Sequence, residues 1–447
     1  MSSLNPSSVG LTPQDYESSE TLALADTHED ATPGEIAVGV IIGRSSEYFD
    51  FFVFGIACVL VFPSVLFPFL SKLDGTLAAF AIFSLAFIAR PIGTAISMAV
   101  QRHWGRATKL TLALFLLGIC TVGMAFLPTY ESVGVKAIVA MAILRVGQGL
   151  ALGGSWDGLP SLLAMSAPKN RRGWYSMIGQ LGAPLGFVIA ASLFAYLYSN
   201  LSADEFLTWG WRYPFCVAFA INVVALFARL RLVVGQSYTE MLQERELEPI
   251  SVTSLMRDEG RNVMLGAFAA LASFALFHLV TVFPLSWISM FSDQSMTEVL
   301  IVQIIGACCA AVAIVVSGWL ADRVGRRNTL GTMACLIGIF SFLAPWLLGS
   351  GTAGNNVFII VGFILLGLSY GQSSGTVTSN FSSHYRYTGA ALSTDMAWLI
   401  GAAFAPLVAL GVSARFGLVA LGAYLLSGAL CTLAALGINR AVEARDQ

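Results

Sequence analysis

The feature that most constrains this chain is a succession of apolar runs, each long enough to cross a lipid bilayer. A hydrocarbon core about 30 Å thick takes about 20 residues of helix at about 1.5 Å per residue. A window of about 19 residues picks out such runs near 37–62, 76–100, 109–127, 136–165, 174–198, 211–232, 263–289, 297–320, 329–349, 356–380, 387–411 and 416–437. Within lipid every backbone N–H and C=O must be satisfied internally, which helices do. Only 11% of the residues are charged, against about a quarter in soluble proteins. The expected fold is therefore an all-α integral membrane protein of twelve transmembrane helices.

The long hydrophilic interruption at 233–262 divides the runs six and six. The expected organisation is a disordered cytoplasmic tail at 1–35, a six-helix bundle at 36–232, a cytoplasmic central loop at 233–262, a second bundle at 263–437 and a short cytoplasmic tail at 438–447. Lys and Arg retained on the cytoplasmic side set orientation. Seventeen of them fall on the side of the termini and central loop, and only Lys72, Lys136, Arg212 and Arg415 on the other. The remaining Arg44, Arg90 and Arg145 lie inside runs of the first half. The expected location is a plasma membrane, the inner membrane of a bacterium, with both termini cytoplasmic. Residues 1–35 lack the apolar core and basic start of a signal peptide. The net charge of −2 gives no sign of a nucleic-acid partner. All seven cysteines lie within apolar runs without metal-ligand spacing and read as small packing residues. No metal or cofactor is expected, and the chain reads as a monomer whose surroundings are lipid.

A repeat supports the division. Gly105-Arg106-Ala107-Thr108-Lys109-Leu110 follows the second run, and Gly325-Arg326-Arg327-Asn328-Thr329-Leu330 follows the eighth. A shared G-R-x-x-x-L at corresponding positions fits the parallel repeats of many transporters. The stretch Gly318-Trp-Leu-Ala-Asp322-Arg323-Val-Gly325-Arg326-Arg327 resembles the signature loop of the major facilitator superfamily. Glu47-Tyr48-Phe49-Asp50-Phe51-Phe52, Arg90-Pro91-Ile92-Gly93, Arg145-Val-Gly-Gln148-Gly149 with Gly153-Gly154, Gln180-Leu-Gly182-Ala-Pro184-Leu-Gly186 and Trp209-Gly210-Trp211-Arg212-Tyr213-Pro214-Phe215 resemble the metabolite:H⁺ symporter family within it. The resemblance implies two six-helix halves in the major facilitator fold and proton-coupled uptake of organic acids or zwitterions. Three places depart from the pattern. Met98 and Arg102 stand where the family has Gly and Asp; Gly154-Ser155-Trp156-Asp157 replaces Gly-Glu-Trp; and Gly235-Gln236-Ser237 replaces Glu-Ser-Pro.

Charge inside a membrane run costs several kcal/mol unless a partner, a cavity or a function offsets it, which directs attention to a few side chains. Arg44, Glu47 and Asp50 recur every three residues and so share a helix face. They lie about 10, 15 and 20 Å in from the cytoplasmic end. Arg90 is at similar depth, which makes pairing with Glu47 or Asp50 feasible. These charges either neutralise each other, or divide into a proton carrier and a fork for a substrate carboxylate. Asp50, deepest and furthest from Arg44, is the preferred proton carrier, with Glu47 second. Substrate contacts are expected from Arg90, Arg145, its neighbour Gln148, Arg44 and Asp395. The resemblance aligns Arg145 with the superfamily's membrane-buried arginine. Asp395 is the sole carboxylate well inside the second half's runs. His278, Gln303, Gln372, Ser373, Ser374 and Thr376 are further polar candidates. Gating is expected from Asp157, Arg106, Gly318, Asp322, Arg323, Gly325 and Arg326, whose ion pairs can hold one conformer and release in the other.

The leading expectation is thus a secondary active transporter moving a small organic acid or zwitterionic metabolite with protons by alternating access. A solute sensor built on a transporter frame and a proton-independent facilitator are the alternatives. No GxxxxGK[ST] loop and no HExxH motif occurs, so neither ATP-driven transport nor enzymatic activity is expected.

Overall fold

The structure, a computed structural model, describes residues 33–156, 158, 163, 167–234, 248–374 and 381–438. Asp157, Thr376, the tail at 1–32 and the loop segment 235–247 lie outside the described residues. Among the described residues there are helices and no strands. The first, α1, is Pro33–Leu60, and the 54-residue run Lys72–Ala125 is two helices, α2 and α3, meeting at Gly105. There follow α4, Val135–Gly154; α5, Arg172–Asn200; and α6, Tyr213–Val234. The second half comprises α7, Leu271–Phe291; α8, Met296–Val324; α9, Arg326–Leu348; α10, Gly351–Tyr370; α11, Arg386–Phe416; and α12, Leu418–Ile438. Ten described runs are long and apolar enough to cross a membrane. Dividing the Lys72–Ala125 run, and adding α1 with its charged residues, gives twelve.

The two copies of the short repeat have the same backbone. Gly105 turns the chain at φ 84°, ψ 170° and Gly325 at φ 85°, ψ 145°. An L side chain is disfavoured there by about 1–2 kcal/mol. Each glycine ends one membrane helix and starts the next, so each half is built around an equivalent corner. Both corners lie on one side of the molecule, its corner end.

Close approach explains two more motifs. A Cβ on Gly149 would lie 2.2 Å from the Ala86 carbonyl oxygen, and one on Gly153 2.2 Å from that of Arg90. Helices α2 and α4 therefore meet backbone to backbone. Arg212 donates to the carbonyls of Ala125 and Leu127 at 2.7 and 2.8 Å, closing the end of α3, and its guanidinium lies over the fully buried Trp211.

Helix α7 is almost wholly buried at the centre of the molecule. It breaks at Pro284, which has no N–H to give to the Val280 carbonyl. Gln303 of α8 supplies the missing donor, reaching the carbonyls of Val280 (3.1 Å) and Thr281 (2.8 Å). Residues 252–262, expected as linker, belong to an amphipathic helix, Val252–Ala269. Its Asp258 accepts from the Tyr385 hydroxyl at 2.6 Å, and the Val263 carbonyl from Ser393 at 2.9 Å, tying it to the start of α11. Phe115, Phe227, Val312, Phe342 and Trp346 project from the outer surface, as side chains facing lipid do. Of the seven cysteines only Cys58 and Cys120 are buried; Cys216, Cys308, Cys335 and Cys431 are exposed and do not pack the core.

Candidate functional site

The charged face of α1 does not form a single ladder. It divides into two sites at successive depths. In the first, Glu47 is gripped by Arg229 of α6 at 2.8 Å and by Arg44 at 3.0 Å. Ser155 donates to the same carboxylate at 2.9 Å, and Arg229 also donates to the Ser155 carbonyl. Arg44 lies over the ring of Trp156. Arg229 is only 4% exposed; counting it among the basic residues outside the membrane concealed this role. Ser155 and Trp156 occupy the departure in the fourth run, where a hydroxyl and an indole serve Glu47 and Arg44.

One turn deeper, Asp50 is 1% exposed and meets neutral donors only. Thr121 of α3 donates to it at 2.9 Å and Gln148 of α4 at 3.3 Å. Arg145 is fully buried and forms no ion pair with Asp50. Its Nη1 donates to the side-chain Oε1 of Gln148 at 3.0 Å, so the amide relays between cation and carboxylate. Its Nε donates to the Phe83 carbonyl at 3.3 Å, its Nη2 meets no partner among the described residues, and the guanidinium lies 4.1 Å from the centroid of Phe54. Thr121 was not singled out in the sequence, because one hydroxyl in an apolar run carries no signal of its own.

Arg90 pairs with neither Glu47 nor Asp50. Its Nε donates to Asp395 of α11 at 2.6 Å, across the interface of the halves, and Thr94 donates to the other carboxylate oxygen. The two terminal nitrogens of Arg90 make no further hydrogen bond among the described residues. Arg90 lines a small cavity with Arg44, Glu47, Tyr48, Phe51, Phe87, Leu152 and Trp398. The cavity therefore has a cationic side and an aromatic side. Behind the aromatic side, His278 stacks on Phe51 with ring centroids 5.1 Å apart. Its Nδ1 lies 3.5 Å from the Thr281 hydroxyl, and its Nε2 has no partner among the described residues. The Tyr48 hydroxyl is hydrogen-bonded to that of Tyr370, again across the halves.

The halves are also bonded at both ends. At the corner end, Asp322 accepts the backbone N–H groups of Gly173 (2.6 Å) and Trp174 (3.1 Å), capping α5 with a charge that favours a helix N-terminus. A Cβ on Gly318 would lie 2.7 Å from Met177, so the crossing of α5 and α8 requires glycine. Gln372 donates to the Gly173 carbonyl and Ser374 to that of Ser176, both at 3.2 Å. Arg323 lies over Trp319 at 3.8 Å, and Arg326 opens α9 directly after Gly325. In the first half, Arg106 follows Gly105, but position 102 has no acid to copy Asp322. There the contact is made by the buried Lys109, which donates to the Tyr387 hydroxyl at 3.2 Å, while that hydroxyl donates to Gln101 at 3.1 Å. Ser84 donates to the Ala403 carbonyl at 2.7 Å partway along both helices, and at the opposite end Lys72 donates to that of Ser289 at 2.6 Å.

Two helical halves bonded to each other around a charged cavity define the class: a membrane transporter. Comparison with known proteins gives the family. A profile described as the Major Facilitator Superfamily matches residues 132–406. The chain is 34% identical over 441 residues to the inner membrane metabolite transport protein YhjE of Escherichia coli (strain K12), covering 96% of this chain and 99% of that one. It is 28% identical to the shikimate transporter of the same organism, over 88% of this chain and 91% of the relative. Among solved structures, a partially occluded, inward-open xylose transporter XylE from E. coli superposes with a TM-score of 0.69 at 17% identity, covering 89% of this chain and 96% of that one. The chain belongs to the major facilitator superfamily and is a multi-pass membrane transport protein.

Proposed function

We propose that the protein is a proton-coupled symporter of a small, carboxylate-bearing metabolite, working by alternating access with both termini in the cytoplasm of a bacterial cell. The observation that carries the proposal is the unequal treatment of two neighbouring carboxylates. Glu47 is held by two arginines and a hydroxyl, whereas Asp50 is buried with no ion pair and only neutral donors among the described residues. An uncompensated buried charge is costly, so taking up a proton relieves Asp50 in a way it does not relieve Glu47. Asp50 is therefore assigned the proton, and Glu47 the structural anchor of Arg44 and Arg229.

The substrate carboxylate is assigned to the terminal nitrogens of Arg90, whose planar fork suits it. Asp395 then holds Arg90 in place and shares it with the substrate, so occupancy is felt across the interface of the halves. Arg145 and Gln148 link Asp50 to the packing around Phe54 and Phe83. Asp322, Arg323, Arg326 and Arg106 are assigned to the gate at the corner end, where Gly318 and Gly325 permit the crossing and the turn. The relatives named for shikimate and for proline and betaine support a substrate bearing a carboxylate. The inner-membrane relative supports the location, and the basic residues of the corner end support the orientation.

The experiment is uptake of labelled organic acids and betaines into proteoliposomes, with and without an imposed proton gradient. Accumulation of a carboxylate above its external level, lost when the gradient is collapsed, is the expected result. Binding without uptake would instead identify a sensor, and uptake indifferent to the gradient a facilitator.

A further inference from the structure

A second small cavity lies between the halves and is lined almost entirely by apolar groups. Phe52, Ala183, Phe187, Ala310, Phe363 and Tyr370 form much of its wall, and Thr281 and Tyr370 bring its only hydroxyls. It borders the charged cavity across one residue pair. Tyr48 lines the charged cavity and Tyr370 the apolar one, and their hydroxyls bond to each other. Beside them Phe52 stacks on Phe277, with centroids 5.6 Å apart and an interplanar angle of 8°. Each pair joins α1 of the first half to the second half. The partition therefore runs along the surface on which the halves separate, and parting them joins the two spaces.

We infer that the two cavities are subsites of one binding chamber, and that its ligand is an amphipathic monocarboxylate. The carboxylate sits on Arg90, and an apolar chain or ring passes the parted Tyr48–Tyr370 pair into the apolar subsite. This rests on the carboxylate reading above and adds to it the substrate's second half. The apolar walls carry no cation to meet a second carboxylate, and burying an unpaired charge there is costly. Dicarboxylates and tricarboxylates are thereby disfavoured. Once the partition opens, the tyrosine hydroxyls are left facing the middle of the ligand, where a hydroxyl or carbonyl on it would bond.

The test is equilibrium binding to the purified full-length protein of straight-chain monocarboxylates from propionate to octanoate, phenylacetate and phenylbutyrate, and succinate. Each buried methylene is worth about a fourfold gain in affinity, so affinity rises along the straight-chain series until the apolar subsite is full, and succinate binds more weakly than butyrate. Ala183→Leu and Ala310→Leu fill the subsite from opposite helices, and each is expected to lower the octanoate-to-propionate affinity ratio at least tenfold. Phe363→Ala enlarges it and is expected to raise that ratio, so the result does not depend on one variant folding. A series with no dependence on chain length, or ratios that all three variants leave as in the parent, overturns the two-subsite inference. Arg90→Lys separates this from the reading beneath it. If Arg90→Lys weakens every carboxylate while chain length has no effect, the carboxylate reading stands and the inference falls. If no carboxylate binds at any length, both fall.

Discussion

At the scale of single residues, the site depends on how each buried charge is compensated. Glu47 is doubly paired, so removing one partner leaves a carboxylate without part of its compensation in a low-dielectric setting. Truncating one member of a buried pair typically costs about 3–5 kcal/mol. Arg229→Leu is therefore expected to lower the melting temperature of the purified protein markedly, even with Arg44 in place. An unchanged melting curve would mean that Arg229 contributes little to holding Glu47. Much of this layer was legible in the sequence as charge inside an apolar run: Arg44, Glu47, Asp50, Arg90, Arg145 and Asp395 all drew attention that way. Their pairing was not. Arg90 and Asp395 are 305 positions apart and in opposite halves, and depth within a span says nothing about which neighbour lies across an interface. Arg229 was obscured for a different reason. It stands at the end of an apolar run next to Arg231, where a topological anchor and a buried partner look alike.

At the scale of elements, broken helices are repaired by side chains from their neighbours. Gln303 answers the carbonyls freed at Pro284, and in lipid no water can substitute. Gln303→Leu leaves those acceptors bare at a cost of about 1–3 kcal/mol, which thermal unfolding of the variant would show. Equal stability of variant and parent would require another donor at the break. The paired corners make a second case. Gly105→Ala and Gly325→Ala each force an L residue to positive φ, and each is expected to cost about 1–2 kcal/mol. Similar losses of melting temperature in the two variants would show that the corners carry similar strain, whereas no loss in either would contradict the shared turn. The corners were legible from the repeated G-R-x-x-x-L, because a turn of this kind selects glycine locally. The helix Val252–Ala269 was not. Its charged residues read as linker, and its packing against the start of α11 depends on partners more than a hundred residues away.

At the scale of the whole molecule, twelve spans in two halves followed directly from the lengths of the apolar runs, since lipid admits few alternatives to helices. How the halves lean together depends on contacts such as Asp322 with the start of α5, which no local pattern encodes. Charge-assisted hydrogen bonds are worth about 1.5–3 kcal/mol each. Removing the two made by Asp322 through Asp322→Ala is expected to shift the population toward an open corner end. Spin labels placed on α5 and α8 at that end should report a longer mean distance in the variant, and an unchanged distance distribution would contradict the role. The central claim concerns the division of labour between Asp50 and its surroundings, and one measurement addresses it most directly. In proteoliposomes, Asp50→Asn is expected to abolish accumulation driven by a proton gradient while leaving exchange of labelled for unlabelled substrate measurable. Uphill uptake by Asp50→Asn at the parent's level would contradict the account.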